Sequence, residues 1–477
     1  MNVPAENQSW LPRLEKREGP IYLAIADAIS EAVSAGELRP GERLQTHRAM
    51  AEALDVDLTT VTRAYAEARR RGVLEATVGR GTFVRTERKG SASSSTGRQR
   101  SGALDLSMNL PPQPAPPLNE ALQRGFSSLL ARPDISELLT YRSGSGTSEE
   151  RTAGAAWILP TVGEVDPERV LVSSGAQPAL LAILGMVARP GDIVLVDSFT
   201  YPGIRGAAAQ LGIKLVGILA DEDGMLPDAV EETCREEPRA KALYCIPTVH
   251  NPTTVTMPLT RRKAIADVAR RCGLSVIEDD AYGLLPSAPL PAIASLVPDI
   301  TFHVATVSKV LSPALRVAFL VAPDQRQAAR LNSALRANVQ MPSPLLTGLT
   351  ASWVRDGTAG AVVKAIRREC TARQGIVRKT LPSGSFDAHP EGLHVWVRLP
   401  ARWSSPGFTA HLRRQDGLAV VPSDVFALTG SEPSSERTAA VRISLGAAPD
   451  RESLRQALGM VAEALNEDTS MIFSEVV

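Results

Sequence analysis

From residue 21 the apolar positions Ile21, Ala24, Ile25, Ala28, Ile29, Ala32 and Val33 recur at three- and four-residue steps. That spacing predicts an amphipathic helix, with Pro20 suited to its first turn and Gly36 to its end. A second helix is expected over about residues 46–54. A third, LTTVTRAYAEARRR, follows the turn Asp55-Val56-Asp57. Asp57 suits its N-cap, Val61, Tyr65 and Ala68 share its inward face, and Gly72 stops it. Thr59, Thr60, Thr62 and Arg63 then point outward near its start. Two short β-prone pieces, residues 73–76 and 82–85, flank a Gly79-Arg80-Gly81 turn. The expected unit is three helices followed by a hairpin.

Further along, the pattern changes from stripes to blocks. VLVSSG, DIVLVDS, IKLVGIL, KALYCIP, LSVIEDDAY, TFHVATVS and VAFLVA are continuous apolar runs separated by helical stretches. Runs of this kind predict strands buried on both faces, hence an α/β domain with a mainly parallel central sheet. The longest apolar stretch outside them, residues 180–188, contains a glycine and is too short to span a bilayer. The first twenty residues hold no apolar core of an export signal, so a cytoplasmic protein is expected.

Residues 88–102 read RKGSASSSTGRQRSG, with no apolar residue larger than alanine. Such a run cannot bury anything and predicts a flexible linker. The expected division is a small helical unit over residues 1–88, a linker over 89–105 and a large domain over 106–477. The large domain is expected to have one subdomain over about 140–350 and a smaller α+β lobe over about 351–477 joined by 106–139. Across all 477 residues, 52 basic side chains balance 52 acidic ones, which argues against a polybasic binder of nucleic acid or membrane surface. The balance does not hold locally: residues 1–57 hold 6 basic against 10 acidic residues, and residues 58–100 hold 10 against 3. The basic excess falls on the third helix, the hairpin and the linker. The four cysteines, Cys234, Cys245, Cys272 and Cys370, lack metal-ligand spacing and are expected to be reduced thiols.

In an open α/β sheet, ligands collect at the carboxyl ends of the strands. Polar residues stand just past the apolar runs at Gly175-Ala176-Gln177, Tyr201, Asn251, Asp279 with Tyr282, and Lys309 followed by Arg316. A lysine among apolar and hydroxyl neighbours suits a Schiff base with an aldehyde cofactor, and a carboxylate suits a protonated pyridine nitrogen. A glycine turn opening a helix, small hydroxyls and an arginine suit a phosphate. Taken alone, Asp279 and Asp280 equally suit a solvated surface or a metal.

Two resemblances sharpen these readings. ELRPGERLQTHRAMAEALDVDLTTVTRAYAEARRRGVLEATVGRGTFV resembles the winged helix-turn-helix of the GntR transcription regulators. The resemblance implies that Arg48, Thr59, Thr60, Arg63, Arg80 and Gly81 contact double-stranded DNA. Asp57 and Leu58 stand where the family commonly opens its recognition helix with serine and arginine. SSGAQPAL, VDSFTYPG, IPTVHNPTTVTMPL, IEDDAYG and TVSKVLSPALRVAF resemble the fold type I aminotransferases that use pyridoxal 5′-phosphate. The whole chain thus resembles the MocR subfamily of GntR regulators. The resemblance implies that Lys309 carries the cofactor, Asp279 pairs with its ring nitrogen, Asn251 and Tyr282 bond its phenolic oxygen, and Tyr201 stacks on its face. Its phosphate would fall to Arg316, Thr306, Ser308, the backbone of Gly175, Ala176 and Gln177, and Tyr141 of a second subunit. Arg442 would clamp a substrate carboxylate. Ala176 replaces a usual serine or threonine, Thr254 replaces the glycine of an NPTG turn, and His250 reads as a loop residue. The implied function is a homodimeric regulator that senses an amino acid or amine by external aldimine formation and reads an operator with paired half-sites. The same residues also suit a working aminotransferase carrying a DNA-binding module.

Overall fold

A computed structural model of the chain describes residues 10–12, 20–39, 41–70, 73–77, 81–84, 104–133, 135–142, 144–428 and 439–467. Gly72, Arg80 and residues 85–103, most of the expected linker among them, lie outside the described residues. The chain divides into two compact units, residues 1–98 and 99–477.

The first unit contains helices Ile21–Ser34, His47–Leu54 and Leu58–Arg70 and an antiparallel hairpin of Leu74–Thr77 with Gly81–Val84. The apolar stripes converge: Ile25, Ile29, Met50, Val61, Tyr65 and Ala68 form one core, closed by Leu74 and Val84. Thr46 caps the second helix by accepting from the Ala49 N–H at 3.2 Å, and Asp55 ends it in the left-handed region at φ 51°. The pattern did not predict that residues 41–44 run beside the hairpin. There Leu44 N–H donates to Thr82 carbonyl at 2.9 Å and Val84 N–H to Glu42 carbonyl at 2.8 Å. A segment this short and charged has no two-residue periodicity to read.

The second unit is built on a seven-stranded sheet in the order Val170–Ser173, Ala318–Val321, Thr301–Thr306, Ser275–Asp279, Ala240–Cys245, Ile193–Asp197, Lys214–Ile218. Each strand is one of the seven apolar blocks. Alternate residues serve opposite faces: Val194, Val196, Tyr244 and Ile277 enter one core, and Ile193, Leu195, Leu243 and Val276 the other. All neighbours are parallel except Ala318–Val321, which is antiparallel to both of its own. Only residues 307–317 separate it from the preceding strand, too few for a parallel crossover, so the chain must fold straight back. That short return holds Lys309 and Arg316 at the same end of the sheet.

A smaller lobe carries an antiparallel sheet of Phe386–Asp387, His394–Arg398, Ala440–Ser444 and Val421–Pro422, covered by helices Ser405–Asp416 and Arg451–Asn466. Val395, Phe408, Ile443 and Leu458 lie in its core. Two expectations need correction. Leu104–Asp105, expected as the end of the linker, forms a strand parallel to Leu418–Ala419 of this lobe, and Leu106 enters the lobe's core. Helix Ala115–Leu130, expected with the small lobe, instead buries Leu118, Ala121 and Leu129 in the core shared with Leu349 and Trp353 of helix Pro344–Arg355. Its apolar stripe finds the larger of two available apolar faces. Helix Thr358–Thr380 joins the two parts, with Val362 and Ile366 in the large core and Val377 in the small one. Among the described residues no helix is long and apolar enough to cross a membrane, and the four cysteines are free.

Candidate functional site

Strand Thr301–Thr306 ends in the one-turn helix Val307–Lys309, which swings Lys309 over the carboxyl ends of the parallel strands. Its Nζ donates to the Asn109 carbonyl at 2.5 Å. Burial and the nearby Arg442 charge bring its pKa down to about 8, against the opposing pull of Asp279. Asp279 closes the neighbouring strand and is buried. Its Oδ2 accepts from the Tyr244 hydroxyl at 2.8 Å, while its Oδ1 has no partner. Burial raises this carboxyl to about 6, with Asp280 adding and the Tyr244 hydrogen bond and Lys309 opposing. A buried carboxylate oxygen with nothing to accept is costly unless a donor is supplied.

Arg442 reaches the same place from the small lobe. It lies in strand Ala440–Ser444 and is only 6% exposed. Its Nη1 donates to Asn251 Oδ1 at 2.8 Å and its Nη2 to the Ser107 carbonyl at 2.6 Å, while its Nε is unpartnered. The guanidinium stands 4.9 Å from the centre of the Phe426 ring. Asn251 therefore faces Arg442 through its oxygen and keeps its amide hydrogens for another partner. Its loop forms without the expected glycine: Thr254 itself adopts φ 67°, donating its N–H to the His250 carbonyl at 2.7 Å, and His250 N–H donates to Val255 carbonyl at 2.7 Å. A β-branched residue there carries about 1–2 kcal/mol of backbone strain, which the two hydrogen bonds offset.

A third feature is an anion cradle. Gly175, at φ 94°, opens helix Ala176–Val187, so the first-turn N–H groups of Ala176 and Gln177 face outward. A Cβ on Gly175 would lie 3.0 Å from Arg316 Nη2, so only glycine lets that guanidinium approach. Arg316, itself left-handed at φ 50°, donates to the Ser174 carbonyl at 3.3 Å. Beside it the Thr306 and Ser308 hydroxyls are 3.1 Å apart. Tyr201 caps helix Pro202–Gln210, and its hydroxyl donates to Gln177 Oε1 at 3.3 Å, fixing the ring edge. The buried Tyr282 hydroxyl accepts from the Asn109 amide at 2.9 Å. Tyr141 is not brought to this cluster; it is 84% exposed.

Several participants escaped the sequence reading. Tyr244 sits inside an apolar run, and only strand order places it opposite Ile277, two residues before Asp279. Asn109 and Ser107 belong to a stretch without periodicity. Asp280 is not solvated: it is buried 3.2 Å from His303 Nε2.

In the first unit, Arg48 and Thr59 are exposed and Thr60 is half-buried. The Arg63 guanidinium lies 4.3 Å above the Tyr22 ring. Leu58, the large apolar residue opening the third helix, is itself exposed. Gly81 has φ 117°, and a Cβ on it would meet Arg43 Nε at 2.9 Å. Arg48 stands at the start of the second helix, Thr59, Thr60 and Arg63 at the start of the third, and Gly81 at the start of the hairpin's second strand; Arg80 is the expected member outside the described residues.

The chain matches the family model "Aminotransferase class I and II" over residues 102–461 and "Bacterial regulatory proteins, gntR family" over residues 21–84. It is 31% identical to an uncharacterized HTH-type transcriptional regulator, YdeF, of Bacillus subtilis, covering 97% of this chain and 98% of that one. It is 28% identical to the vitamin B6 salvage pathway transcriptional repressor PtsJ of Salmonella typhimurium, covering 91% and 96%. Among solved structures, the α-aminoadipate aminotransferase LysN of Thermus thermophilus, complexed with N-(5′-phosphopyridoxyl)-L-leucine, aligns with TM-score 0.68 and 28% identity. The alignment covers 79% of this chain and 94% of that one.

Proposed function

Because the chain belongs to the aminotransferase class I and II family and, through its gntR-family module, to the MocR subfamily of GntR regulators, we propose that it is a pyridoxal 5′-phosphate-dependent transcription regulator acting in the cytoplasm. The observation that carries the cofactor reading is the orphaned Oδ1 of Asp279 beside a lysine whose pKa is brought to about 8. When bound, the cofactor supplies an aldehyde that condenses with amines and a pyridinium ring that withdraws electrons. Lys309 holds the aldehyde carbon, Asp279 accepts from the ring nitrogen, and the Gly175-Ala176-Gln177 turn with Arg316, Thr306 and Ser308 holds the phosphate. Asn251 and Tyr282 have hydrogen-bonding capacity for the ring oxygen, and Tyr201 offers its ring to the cofactor's face. Ala176 contributes a backbone N–H where a hydroxyl is usual, a loss of about 1 kcal/mol. The purified protein should be yellow, and borohydride should fix the cofactor onto the peptide containing Lys309. A colourless protein that takes up no added pyridoxal 5′-phosphate overturns the reading.

The ligand sensed is an amino acid or amine. Arg442 can turn from Asn251 and Ser107 to a ligand carboxylate, because a guanidinium grips that group with two parallel hydrogen bonds. In Arg442→Ala, amino acids should bind about 10–100-fold more weakly, from the loss of ~1.5–3 kcal/mol of charge-assisted bonding. The corresponding amines without a carboxylate should lose far less. Spectral titration of the bound cofactor with matched amino acid and amine pairs reads the difference.

The first unit binds double-stranded DNA, with Arg48, Thr59, Thr60, Arg63, Arg80 and Gly81 as the contact set. Two copies on paired half-sites raise each other's effective concentration, which suits a homodimer held by the large domain, with Tyr141 contributed across its interface. Replacing Arg48 and Arg63 together by alanine should weaken binding for all sequences and flatten the salt dependence of log K on a paired operator by about 4, near 0.9 for each of two phosphate contacts in each copy. Fluorescence anisotropy across a salt series measures it, and an unchanged slope removes these residues from the contact set. The complete Lys309–Asp279–Arg442 set also favours a second reading as an aminotransferase. Turnover of an amino acid with a keto acid at ~1 s⁻¹ or faster, within the ordinary enzyme range, would select it.

A further inference from the structure

A second cavity, of about 330 Å³, lies apart from Lys309, past the ends of strands Ile193–Asp197 and Ala240–Cys245. Leu219, Ile246, Val255 and Met257 give it an apolar wall, and Asp197 and His250 its polar end. Asp221 at the rim is already paired, accepting from both Nη atoms of Arg261 at 2.8 Å. Asp197 is not. It is buried, and its Oδ2 stands 3.4 Å from His250 Nε2 without hydrogen-bond alignment, so that neither atom has a hydrogen-bond partner. Two adjacent buried polar atoms left unsatisfied on the wall of a cavity mark a place where a guest supplies the missing bonds. Two carboxylates disfavour an anion, and the apolar wall disfavours a bare ion.

The cavity also communicates with the site already described. The His250 carbonyl lies 3.2 Å from His394 Nε2, and His394 Nδ1 lies 3.4 Å from the Asn109 amide. Asn109 holds Lys309 through its carbonyl, and Asn251, the residue after His250, holds Arg442. Through these contacts a displacement of His250 reaches both ends of the cofactor cluster.

We propose that this cavity is a second, noncovalent site for a small amphipathic amine, whose ammonium donates to Asp197 while its alkyl part lies on Ile246, Val255 and Met257. Occupancy moves the His250–Asn251 loop and with it the surroundings of Lys309. The site itself does not depend on the cofactor, but its spectral readout rests on the reading of Lys309 above. The probe is N,N-dimethylbutylamine, a tertiary amine that cannot condense with an aldehyde. Calorimetry on the full-length holoprotein should find one saturable site per chain, and the visible cofactor band should shift along the same isotherm. Asp197→Asn should weaken binding tenfold or more. Leu219→Trp, at the exposed mouth, should block the cavity while the cofactor band stays as in the parent. Absence of saturable binding, or equal affinity in the parent and both variants, overturns the proposal. A protein that binds the amine by calorimetry but has no visible band overturns the cofactor reading instead and leaves the site standing.

Discussion

At pH 8 the Asp279→Asn variant, stripped of cofactor, melts above the parent protein, while its affinity for pyridoxal 5′-phosphate falls about a hundredfold or more. The two effects have opposite signs because one carboxylate is a burden without its partner and an anchor with it. Burial raises the Asp279 carboxyl from 3.8 to about 6. A carboxyl whose folded-state pKa is raised favours folding below its ordinary pKa and loses that contribution as pH climbs through about 6. At pH 8 the loss is complete and amounts to at most about 3 kcal/mol. The amide carries no charge to desolvate and still offers the Tyr244 hydroxyl an oxygen. Its NH₂ group lacks an acceptor at the Oδ1 position, which returns about 1–3 kcal/mol of the gain. A net rise of about 1 kcal/mol follows at pH 8, shrinking to nothing by pH 5. Against the cofactor the arithmetic reverses, since breaking a buried, hydrogen-bonded charge pair costs about 3–5 kcal/mol. Calorimetry of the apoprotein at several pH values and a cofactor titration measure the two halves separately. A variant that melts lower at every pH would mean that Oδ1 has a partner in the native protein.

Lys309→Ala abolishes covalent capture of the cofactor altogether, and in the parent the rate of capture climbs as pH rises through about 8. Only the neutral amine attacks an aldehyde, so the rate follows its population. With a pKa of about 8, roughly one molecule in ten is neutral at pH 7. An ordinary lysine near 10.5 offers roughly one in three thousand, so this site gains about 300-fold in reactive population. Part of the lowering comes from Arg442, yet the larger cause is burial, so Arg442→Ala moves the capture midpoint upward without restoring an ordinary lysine. Stopped-flow absorbance after mixing apoprotein with pyridoxal 5′-phosphate gives the profile. A midpoint near 10 would show that water reaches Nζ as it reaches a surface lysine.

The sheet was legible because burial on both faces leaves a crude record, seven apolar blocks in seven strands. The antiparallel strand Ala318–Val321 was not, since nothing in VAFLVA differs from its neighbours; what decides it is the length of the link before it. Lys309, Asp279 and Asn251 were legible because polar residues ending apolar runs are conspicuous. Tyr244 and Asn109 were not, because one is disguised as strand core and the other becomes a neighbour of Lys309 only when residues 200 positions apart meet. Thr254 is the converse case. Its identity argued against the turn, but the His250 carbonyl and N–H, both paired within the loop, hold a conformation that its side chain disfavours.

The pairing of Leu104–Asp105 with Leu418–Ala419 fixes where the DNA-reading module is moored. The chain that leads back to it departs from the small lobe, the part that bears Arg442, and not from the seven-stranded sheet that bears Lys309. Any displacement of the strand Leu418–Ala419 therefore carries Leu104–Asp105, the start of the chain's path back to that module, with it.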